Sequence, residues 1–399
     1  MGEYDELQSM LPEEVEVESI APEDLRERID AGERVTILDV RAEGEYDEWH
    51  IEGENVETVN VPYYEFIEGV DDDLLARVPE GDPVVAVCAK GGASQFVAGT
   101  LLDEGIDAVN MAEGMNGWAR LYDVVEVSRA PGPATVLQFQ RPSSGCLAYL
   151  VHHDGEGALV DPLRAFEDFY VELADDLGID LVYAVDTHVH ADHVSGVRVV
   201  ADRTGAASVL SRGAMDRGVE YEVDQVVEDG DVLTVGDATI DVHATPGHTS
   251  GMTSFLVDDG VLLTGDGLFV ESVARPDLEE GDEGAPDAAR QLYDTLQEIL
   301  ELPDDTVVAP AHFSEVAEPA DDGTYTARLG DLEDHMDALS LDRDEFVEFI
   351  LADMPPRPAN FEDIIATNLG RQDVDDEEAF ELELGPNNCA ATREAMTGD

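Results

Sequence analysis

Five histidines and two aspartates share one feature: each lies shortly after a hydrophobic stretch that is typical of a β-strand. Four of them fall within six residues, directly after the apolar stretch 182–185. The seven residues are His188, His190, Asp192, His193, His248, Asp266 and His312. Imidazole and carboxylate groups bind cations such as Zn, Fe and Mn. Because strand ends can meet at one edge of a sheet, the pattern predicts that these groups converge on a metal site.

A second chemically competent group is Cys88, which follows an apolar stretch and begins the segment Cys88-Ala89-Lys90-Gly91-Gly92-Ala93-Ser94. A glycine-containing loop before a helix can turn its backbone N–H groups inward and form an anion cradle. That cradle would stabilise a thiolate, and Lys90, the single lysine of the chain, adds positive charge nearby. The loop therefore predicts a reactive thiol. Ser94 stands where a tyrosine-phosphatase loop needs an arginine, which argues against phosphoester chemistry.

The elements that must position Cys88 alternate between strands and helices. The pattern predicts strands over 35–40, 84–88 and 108–111 and helices over 23–29 and 95–104. Such alternation indicates a parallel α/β sheet, in which ligands bind at the carboxyl ends of the strands. We predict that this first domain spans residues 1–130.

Residues 131–399 are predicted to form a second domain, which begins with the linker Pro131-Gly132-Pro133. The predicted strands are 135–140, 146–152, 158–161, 181–186, 208–210, 232–235, 240–243, 252–257 and 261–264. The predicted helices are 165–177, 197–203, 285–302 and 343–354. Two runs of strands with helices between them suit a four-layered αββα sandwich. Periodicity gives this class and leaves the strand order open.

The composition argues against several kinds of partner. The 399 residues include 93 Asp+Glu against 21 Lys+Arg, which gives a formal net charge of −72. An acidic surface repels nucleic acid and anionic membranes. No apolar run approaches the ~20 residues of a membrane span, and no secretory signal is visible. Three cysteines cannot form a disulfide framework, so we expect a cytoplasmic protein.

The acidity is spread over the whole chain, and lysine is nearly eliminated in favour of arginine. This pattern resembles proteins of organisms that keep molar salt in the cytoplasm. The Debye length falls to about 3 Å near 1 M salt, so the self-repulsion of the chain is screened there. We therefore expect a halophilic protein that loses structure at low salt.

The first domain resembles the rhodanese (sulfurtransferase) family. The matching motifs are Asp39-Val40-Arg41, Glu45-Tyr46, His50-Ile51-Glu52-Gly53, Asn60-Val61-Pro62, the Cys88 loop and Glu113-Gly114-Met115-Asn116-Gly117-Trp118. The resemblance implies that Cys88 accepts a sulfane sulfur as a persulfide and passes it to a thiophilic acceptor. It implies scaffold roles for Asp39, Arg41 and Trp118, and we expect a structural role for His50.

The second domain resembles the metallo-β-lactamase superfamily, whose signature is His-x-His-x-Asp-His followed by His, Asp and His. Two branches fit best, the persulfide dioxygenases and the glyoxalase II thioester hydrolases. The segments that favour the dioxygenase branch are 144–150, 160–162, 187–196, 265–269, 274–278, 345–347, 354–358 and 366–368. A glyoxalase II would carry a larger helical C-terminal domain with basic contacts to its thiol carrier.

The resemblance also implies roles for the metal-site candidates. His188, His248 and Asp266 match a two-His-one-carboxylate set for Fe(II), one ion per chain, with open positions for persulfide sulfur and O₂. The remaining four, His190, Asp192, His193 and His312, would orient those ligands or complete a second metal site. A zinc or binuclear centre is the alternative, and it would suit hydrolysis. Arg275 is predicted to attract an anionic group of the substrate.

Together the two resemblances imply a bifunctional sulfur enzyme. One domain would oxidise a low-molecular-weight thiol persulfide with O₂ to sulfite, and Cys88 would supply sulfane sulfur or pass it to sulfite to form thiosulfate. The alternative is a glyoxalase II-type hydrolase with an accessory rhodanese domain. The thiol carrier and the direction of sulfur transfer stay open. A homodimer through the second domain is plausible for such relatives, and Cys146 and Cys389 are interpreted as inert.

Overall fold

In the computed structural model, which describes residues 15–128, 130–314, 317–352 and 354–385, the chain divides into two units between Leu121 and Tyr122. The first strand of the second unit is Asp123–Glu126, which pairs with the strand that follows it. For that reason the boundary lies before the predicted linker at 131–133. Cys389 lies outside the described residues.

The first unit is built on a five-stranded sheet with the strand order β1-β5-β4-β2-β3. The strands are β1 (Ser19–Ile20), β2 (Val35–Asp39), β3 (Val56–Asn60), β4 (Val84–Val87) and β5 (Ala108–Met111). All the pairings are parallel, which confirms the predicted α/β class. The helices are α1 (Pro22–Asp30), α2 (Glu43–Glu48), α3 (Tyr63–Glu68), α4 (Asp72–Leu75), α5 (Gly92–Asp103) and α6 (Gly114–Trp118).

Strand β4 is apolar throughout because helices cover both faces of this sheet. Val84 and Ala86 pack into one hydrophobic cluster, whereas Val85 and Val87 pack into the cluster on the opposite face. All four residues are buried. The strand therefore runs through the middle of the unit, and Cys88 is the first residue after its carboxyl end.

The second unit begins with a seven-stranded sheet in the order β12-β11-β10-β9-β8-β7-β6. The strands are β6 (Asp123–Glu126), β7 (Thr135–Arg141), β8 (Cys146–His153), β9 (Glu156–Val160), β10 (Asp180–Val185), β11 (Ala207–Ser211) and β12 (Gln225–Val227). From β6 to β9 the neighbours are antiparallel, and from β9 to β12 they are parallel.

A six-stranded sheet in the order β13-β14-β15-β16-β17-β18 follows. Its strands are β13 (Val232–Val235), β14 (Ala238–Ala244), β15 (Thr253–Val257), β16 (Val261–Gly265), β17 (Val307–Pro310) and β18 (Ala327–Arg328). Only β16 and β17 are paired in parallel, because the long helix α10 (Gly281–Ile299) connects them.

The two sheets of the second unit face each other across one hydrophobic core. Strand β8 illustrates the layering: Tyr149 packs into the core between the sheets, whereas Leu150 packs under helices on the outer face. The remaining helices are α7 (Glu167–Leu177), α8 (Val197–Thr204), α9 (Arg212–Asp216), α11 (Leu329–His335), α12 (Arg343–Ala352), α13 (Phe361–Asn368) and α14 (Asp376–Leu382). Short 3₁₀ turns lie at Arg164–Phe166 and Asp337–Ser340.

Helices α7 and α8 cover the outer face of the first sheet, and α10 to α12 cover the outer face of the second. This arrangement confirms the predicted αββα sandwich. Across the described part of the chain, none of the helices combines the length and the hydrophobicity that a membrane span requires.

Candidate metal centre and reactive cysteine

The histidine-rich segment forms the loop that follows β10, at the carboxyl end of that strand. Asp161, at the end of β9, anchors the start of the loop: its carboxylate accepts hydrogen bonds from the Thr187 N–H (2.6 Å) and the Thr187 hydroxyl (3.0 Å). Asp161 has a φ of +53°, a backbone conformation in which aspartate is one of the few tolerated side chains. The loop is thereby fixed to the neighbouring strand.

Three predicted ligands from three different loops converge on one point. The Nε2 atoms of His188 and His248 each lie 3.6 Å from Oδ2 of Asp266. All three side chains are fully buried. Among the described residues, these three atoms have no hydrogen-bond partner. Buried polar atoms are rarely left unpaired, so three that converge on one another have the geometry expected of a metal site.

The hydrogen bonds on the far side of each ring set the tautomers. Nδ1 of His248 donates to the carbonyl oxygen of Arg275 at 2.9 Å. Nδ1 of His188 lies 2.9 Å from the Thr187 hydroxyl, whose own proton is directed at Asp161. With Nδ1 protonated in both rings, each Nε2 carries the lone pair that a metal needs.

Electrostatics favour the same protonation states. Burial lowers the pKa of His248, and burial together with the charge of His190 holds the pKa of His188 well below its usual value. Both rings are therefore neutral near pH 7. Burial by itself would raise the pKa of Asp266, but His312, which is hydrogen-bonded to it, and the two neighbouring rings lower it overall.

His312 bridges two carboxylates. Its Nδ1 donates to Asp266 Oδ1 and its Nε2 donates to Asp192 Oδ2 at 2.9 Å. Burial opposes a charge on this ring, but the two carboxylates outweigh it and raise the pKa of His312 well above its usual value. Both ring nitrogens thus face carboxylates, and His312 links Asp266 to Asp192.

The structure places Cys146 beside that group. Its Sγ lies 3.3 Å from Asp192 Oδ2, which His193 Nδ1 contacts at 2.8 Å. Cys146, Asp192, His193 and His312 each offer a ligand atom within 4.8 Å of the others, and all are buried. Sequence reasoning treated Cys146 as inert because β8 and His312 are far apart in the chain. They meet through an isolated antiparallel bridge between Cys146 and His312.

His190 lies between the two groups: its ring centroid is 4.2 Å from that of His188 and 4.0 Å from that of His193. Its Nε2 lies 3.1 Å from Asp161 Oδ1 and 3.6 Å from Asp186 Oδ1. Burial and the charge of His193 lower its pKa, but the two carboxylates prevail and raise the pKa of His190 to about 9. The seven predicted residues therefore lie in one cluster. It comprises the triad, the Asp192, His193 and His312 group with Cys146, and His190, which lies between these groups and also faces Asp161 and Asp186.

Arg275 requires a correction, because its guanidinium is not available to a substrate. The side chain is 1 % exposed and forms a two-pronged ion pair with Asp277 (2.8 and 3.1 Å). It also donates to the carbonyl oxygens of Pro355 and Pro356. Arg275 thus fastens the C-terminal segment, and its own carbonyl oxygen orients His248.

Cys88 lies at the carboxyl end of β4 and is 4 % exposed. Its Sγ accepts a hydrogen bond from the Gly91 N–H at 3.1 Å and lies 3.1 Å from the Ser94 hydroxyl, which donates to Asn110 Oδ1 at 2.7 Å. The loop thus directs a backbone N–H at the sulfur, as the glycine pattern predicts. The side chain of Lys90 is exposed.

The first turn of α6 is hydrogen-bonded to the backbone of the Cys88 loop. The N–H groups of Met115 and Asn116 donate to the carbonyl oxygens of Cys88 (2.8 Å) and Ala89 (2.9 Å). Gly114 has a φ of +58°, and a Cβ on it would lie 2.1 Å from the Cys88 oxygen. Asp39 and Arg41, for which a scaffold role was predicted, form a buried ion pair with each other.

Comparisons with known proteins match both units. The rhodanese-like domain family model matches residues 21–121, and the metallo-beta-lactamase superfamily model matches residues 142–312. The human protein named "Persulfide dioxygenase ETHE1, mitochondrial" is 34% identical over 187 residues, which are 45% of this chain and 68% of that protein.

Two further relatives are informative. The hydroxyacylglutathione hydrolase of Maricaulis maris is 34% identical over 167 residues, covering 41% of this chain and 60% of the hydrolase. The crystal structure of ETHE1 from Myxococcus xanthus is 29% identical with a TM-score of 0.52, covering 59% of this chain and 98% of that one.

Proposed function

We propose that this chain, which belongs to the metallo-beta-lactamase superfamily alongside the ETHE1 persulfide dioxygenases and carries a rhodanese-like domain, oxidises a thiol persulfide at an iron centre. The observation that carries the proposal is the convergence of two neutral imidazole nitrogens and one carboxylate oxygen, all buried. Two imidazoles and one carboxylate are the donor set of non-haem Fe(II) oxygenases.

The residues present fit Fe(II) better than a closed structural zinc site, because three protein ligands leave coordination positions open. When bound, iron would supply the redox chemistry that combines O₂ with sulfur. The balanced reaction is R–S–SH + O₂ + H₂O → R–SH + H₂SO₃, in which the sulfane sulfur is oxidised and O₂ is reduced. His188, His248 and Asp266 would hold the ion.

The surrounding residues hold the ligands and their protons in place. Thr187 and the Arg275 carbonyl keep Nε2 of the two imidazoles free for the metal. Nδ1 of His312 donates to Asp266 and helps to lower the pKa of that carboxyl, which favours its ionised form. Because these side chains are buried, their hydrogen bonds hold them in place with little competition from solvent.

We further propose that Cys88 carries sulfane sulfur for the same metabolism. A Cys88 persulfide could transfer its outer sulfur to sulfite: Cys–S–S⁻ + SO₃²⁻ → Cys–S⁻ + S₂O₃²⁻. The S–S bond of the persulfide breaks, a new S–S bond forms, and Cys88 leaves as the thiolate. The Gly91 N–H that points at Sγ would stabilise that leaving thiolate.

Metal analysis combined with oxygen uptake tests the dioxygenase proposal. We expect one iron per chain after anaerobic reconstitution and O₂ consumption that depends on added persulfide. An Asp266→Asn variant should lose most of its iron and its O₂ uptake. Oxygen uptake that persists in an iron-free preparation would contradict the proposal.

Replacement of Cys88 by serine separates the two activities. We expect Cys88→Ser to abolish thiosulfate formation, since a hydroxyl cannot form the persulfide, while persulfide-dependent O₂ uptake stays within about twofold of wild type. Thiosulfate assay and oxygen electrode measure the two activities on the same preparation. Equal loss of both activities would mean that the sites do not act separately.

The second candidate function is a binuclear thioester hydrolase. The Asp192, His193 and His312 group and the similarity to a hydroxyacylglutathione hydrolase favour it. That function requires two metals per chain and thioester cleavage without O₂. Metal analysis, combined with an assay of glutathione thioester cleavage in the absence of O₂, distinguishes the two candidates.

A further inference from the structure

Asn368, the last residue of α13, holds the backbone of the histidine loop with a single amide group. Its Nδ2 donates to the carbonyl oxygens of His190 (3.0 Å) and His193 (2.8 Å). Its Oδ1 accepts from the Ser195 N–H at 2.9 Å. The side chain is 6 % exposed. We propose that Asn368 is a positioning residue of the metal site, an inference that rests on the proposed function.

The chemistry of the amide explains why asparagine suits this place. The loop presents two carbonyl oxygens and one N–H to the same point, and only an amide offers two donors and an acceptor in one plane. The two carbonyl partners also identify which end of the amide is nitrogen. An alanine would remove all three of these hydrogen bonds to the loop backbone. An aspartate would set a negative oxygen against two carbonyl oxygens.

Helix α13 also makes hydrophobic contacts with the histidine loop. Val189, which lies between two histidines of the loop, shares a hydrophobic cluster with Leu369 and Ile365. Ala191 shares the adjacent cluster with Phe269, and Phe361 and Ile365 pack against it. The alternating sequence of the loop thus directs its apolar side chains to α13, while the histidines between them enter the buried polar groups.

A second contact from the C-terminal segment completes the support. Glu383 follows α14, accepts from the Val194 N–H at 2.9 Å and forms a buried ion pair with Arg141 at 2.7 Å. Backbone groups of His190, His193, Val194 and Ser195 are therefore bonded to Asn368, the last residue of α13, or to Glu383, which follows α14. His188 lies two residues before this bonded segment, so its position depends on a helix that contributes no ligand.

Residues that orient metal ligands typically change metal affinity by 10–100-fold when they are removed. We therefore expect Asn368→Ala and Asn368→Asp to release bound metal 10–100-fold faster than wild type. Thr367→Val is the matched control. Thr367 precedes Asn368 on α13 and is also buried, and its side-chain hydroxyl donates to the helix carbonyl oxygen of Asp363 rather than to the loop.

The experiment loads metal-free full-length protein with Co²⁺ or, anaerobically, with Fe²⁺. It records the visible Co²⁺ spectrum and the rate of metal loss to a chelator. Circular dichroism of the metal-free variants confirms that they fold. The Asn368 variants should show an altered Co²⁺ spectrum and faster metal loss, whereas Thr367→Val should match wild type.

Folded Asn368 variants that keep the wild-type spectrum and release rate would overturn the inference. So would an equal effect of Thr367→Val, since the amide would then have no special part. If wild-type protein takes up neither metal, the proposed function fails together with the inference. Metal uptake by wild type with unaffected variants removes the inference alone.

Discussion

The buried ion pair between Arg275 and Asp277 connects the C-terminal segment to the loop that carries Asp266. Asp277 accepts two hydrogen bonds from Arg275 and one from Arg357. Burial alone would raise its pKa, but the two arginines prevail and lower the pKa of Asp277. The ionised form is thus favoured in the folded protein relative to the unfolded chain.

This shift predicts a specific dependence of stability on pH. A depressed carboxyl pKa contributes stability above the unfolded value of about 3.9, and the contribution is lost as pH falls through the lower folded pKa. We expect Asp277→Asn to lower the free energy of unfolding by about 3 kcal/mol at pH 7, since it breaks a buried pair. The difference from wild type should shrink as the pH falls below 4.

Denaturant unfolding in molar salt at several pH values measures this difference. Asp282→Asn is the control, because Asp282 also pairs with Arg357 but its side chain is 93% exposed. Exposed pairs contribute about 1 kcal/mol or less, so that variant should stay close to wild type. A difference between Asp277→Asn and wild type that is independent of pH would contradict the electrostatic account.

The candidate residues that could be predicted from the sequence are those that directly follow a recognisable hydrophobic strand. His188, His248 and Asp266 could be found because each lies after its own hydrophobic strand. Asn368 and Cys146 could not be assigned roles, since their partners are distant in the chain and only the folded packing brings them together. Arg275 was misassigned because a sequence does not reveal that Asp277 and two carbonyl oxygens already occupy its guanidinium.

At the scale of elements, the contact between α6 and the Cys88 loop is closely packed. Gly114→Ala would place a methyl group 2.1 Å from the Cys88 carbonyl oxygen, so the loop must move by more than 1 Å to relieve the contact. Displacement of about 1 Å in an active site can cost about 100-fold in rate. We expect Gly114→Ala to lower thiosulfate formation by about that factor, while O₂ uptake is unchanged.

Gly105→Ala provides the matched control in the same unit. Gly105 also has a positive φ, +83°, but a Cβ there would meet no atom within 4 Å. Both alanine variants bear the backbone strain of about 1–2 kcal/mol, and only one bears the clash. Similar thiosulfate rates in the two variants would attribute the effect to strain and refute the packing argument.

Element prediction succeeded where burial produces a long pattern. Strand β8 reads as an apolar run because Tyr149 faces the inner core and Leu150 the outer helices. Strands β1 and β18 have two residues each, which is too short for any periodicity. Strand β6, Asp123–Glu126, begins and ends with exposed acidic residues, so its pairing with β7 could not be inferred.

At the scale of the whole molecule, apolar burial and net charge act on stability in opposite directions. Burial of the apolar strands favours folding in each unit, whereas a net charge of −72 opposes any compact state through self-repulsion. The basic residues are too few to neutralise the acids, with 21 against 93. The remaining repulsion can be reduced only by ions from the solvent.

This imbalance predicts that salt stabilises the fold. The Debye length falls from about 10 Å at 0.1 M to about 3 Å at 1 M, so repulsion between exposed carboxylates is largely screened at the higher concentration. We expect the thermal midpoint, followed by far-UV circular dichroism, to rise steeply with KCl up to about 1 M and to level off beyond it. Sucrose at matched osmolality should stabilise far less, since it excludes itself from the surface without screening charge. Equal stabilisation by sucrose and KCl would point to hydration instead of repulsion, and a midpoint that is flat in KCl would refute the halophilic interpretation.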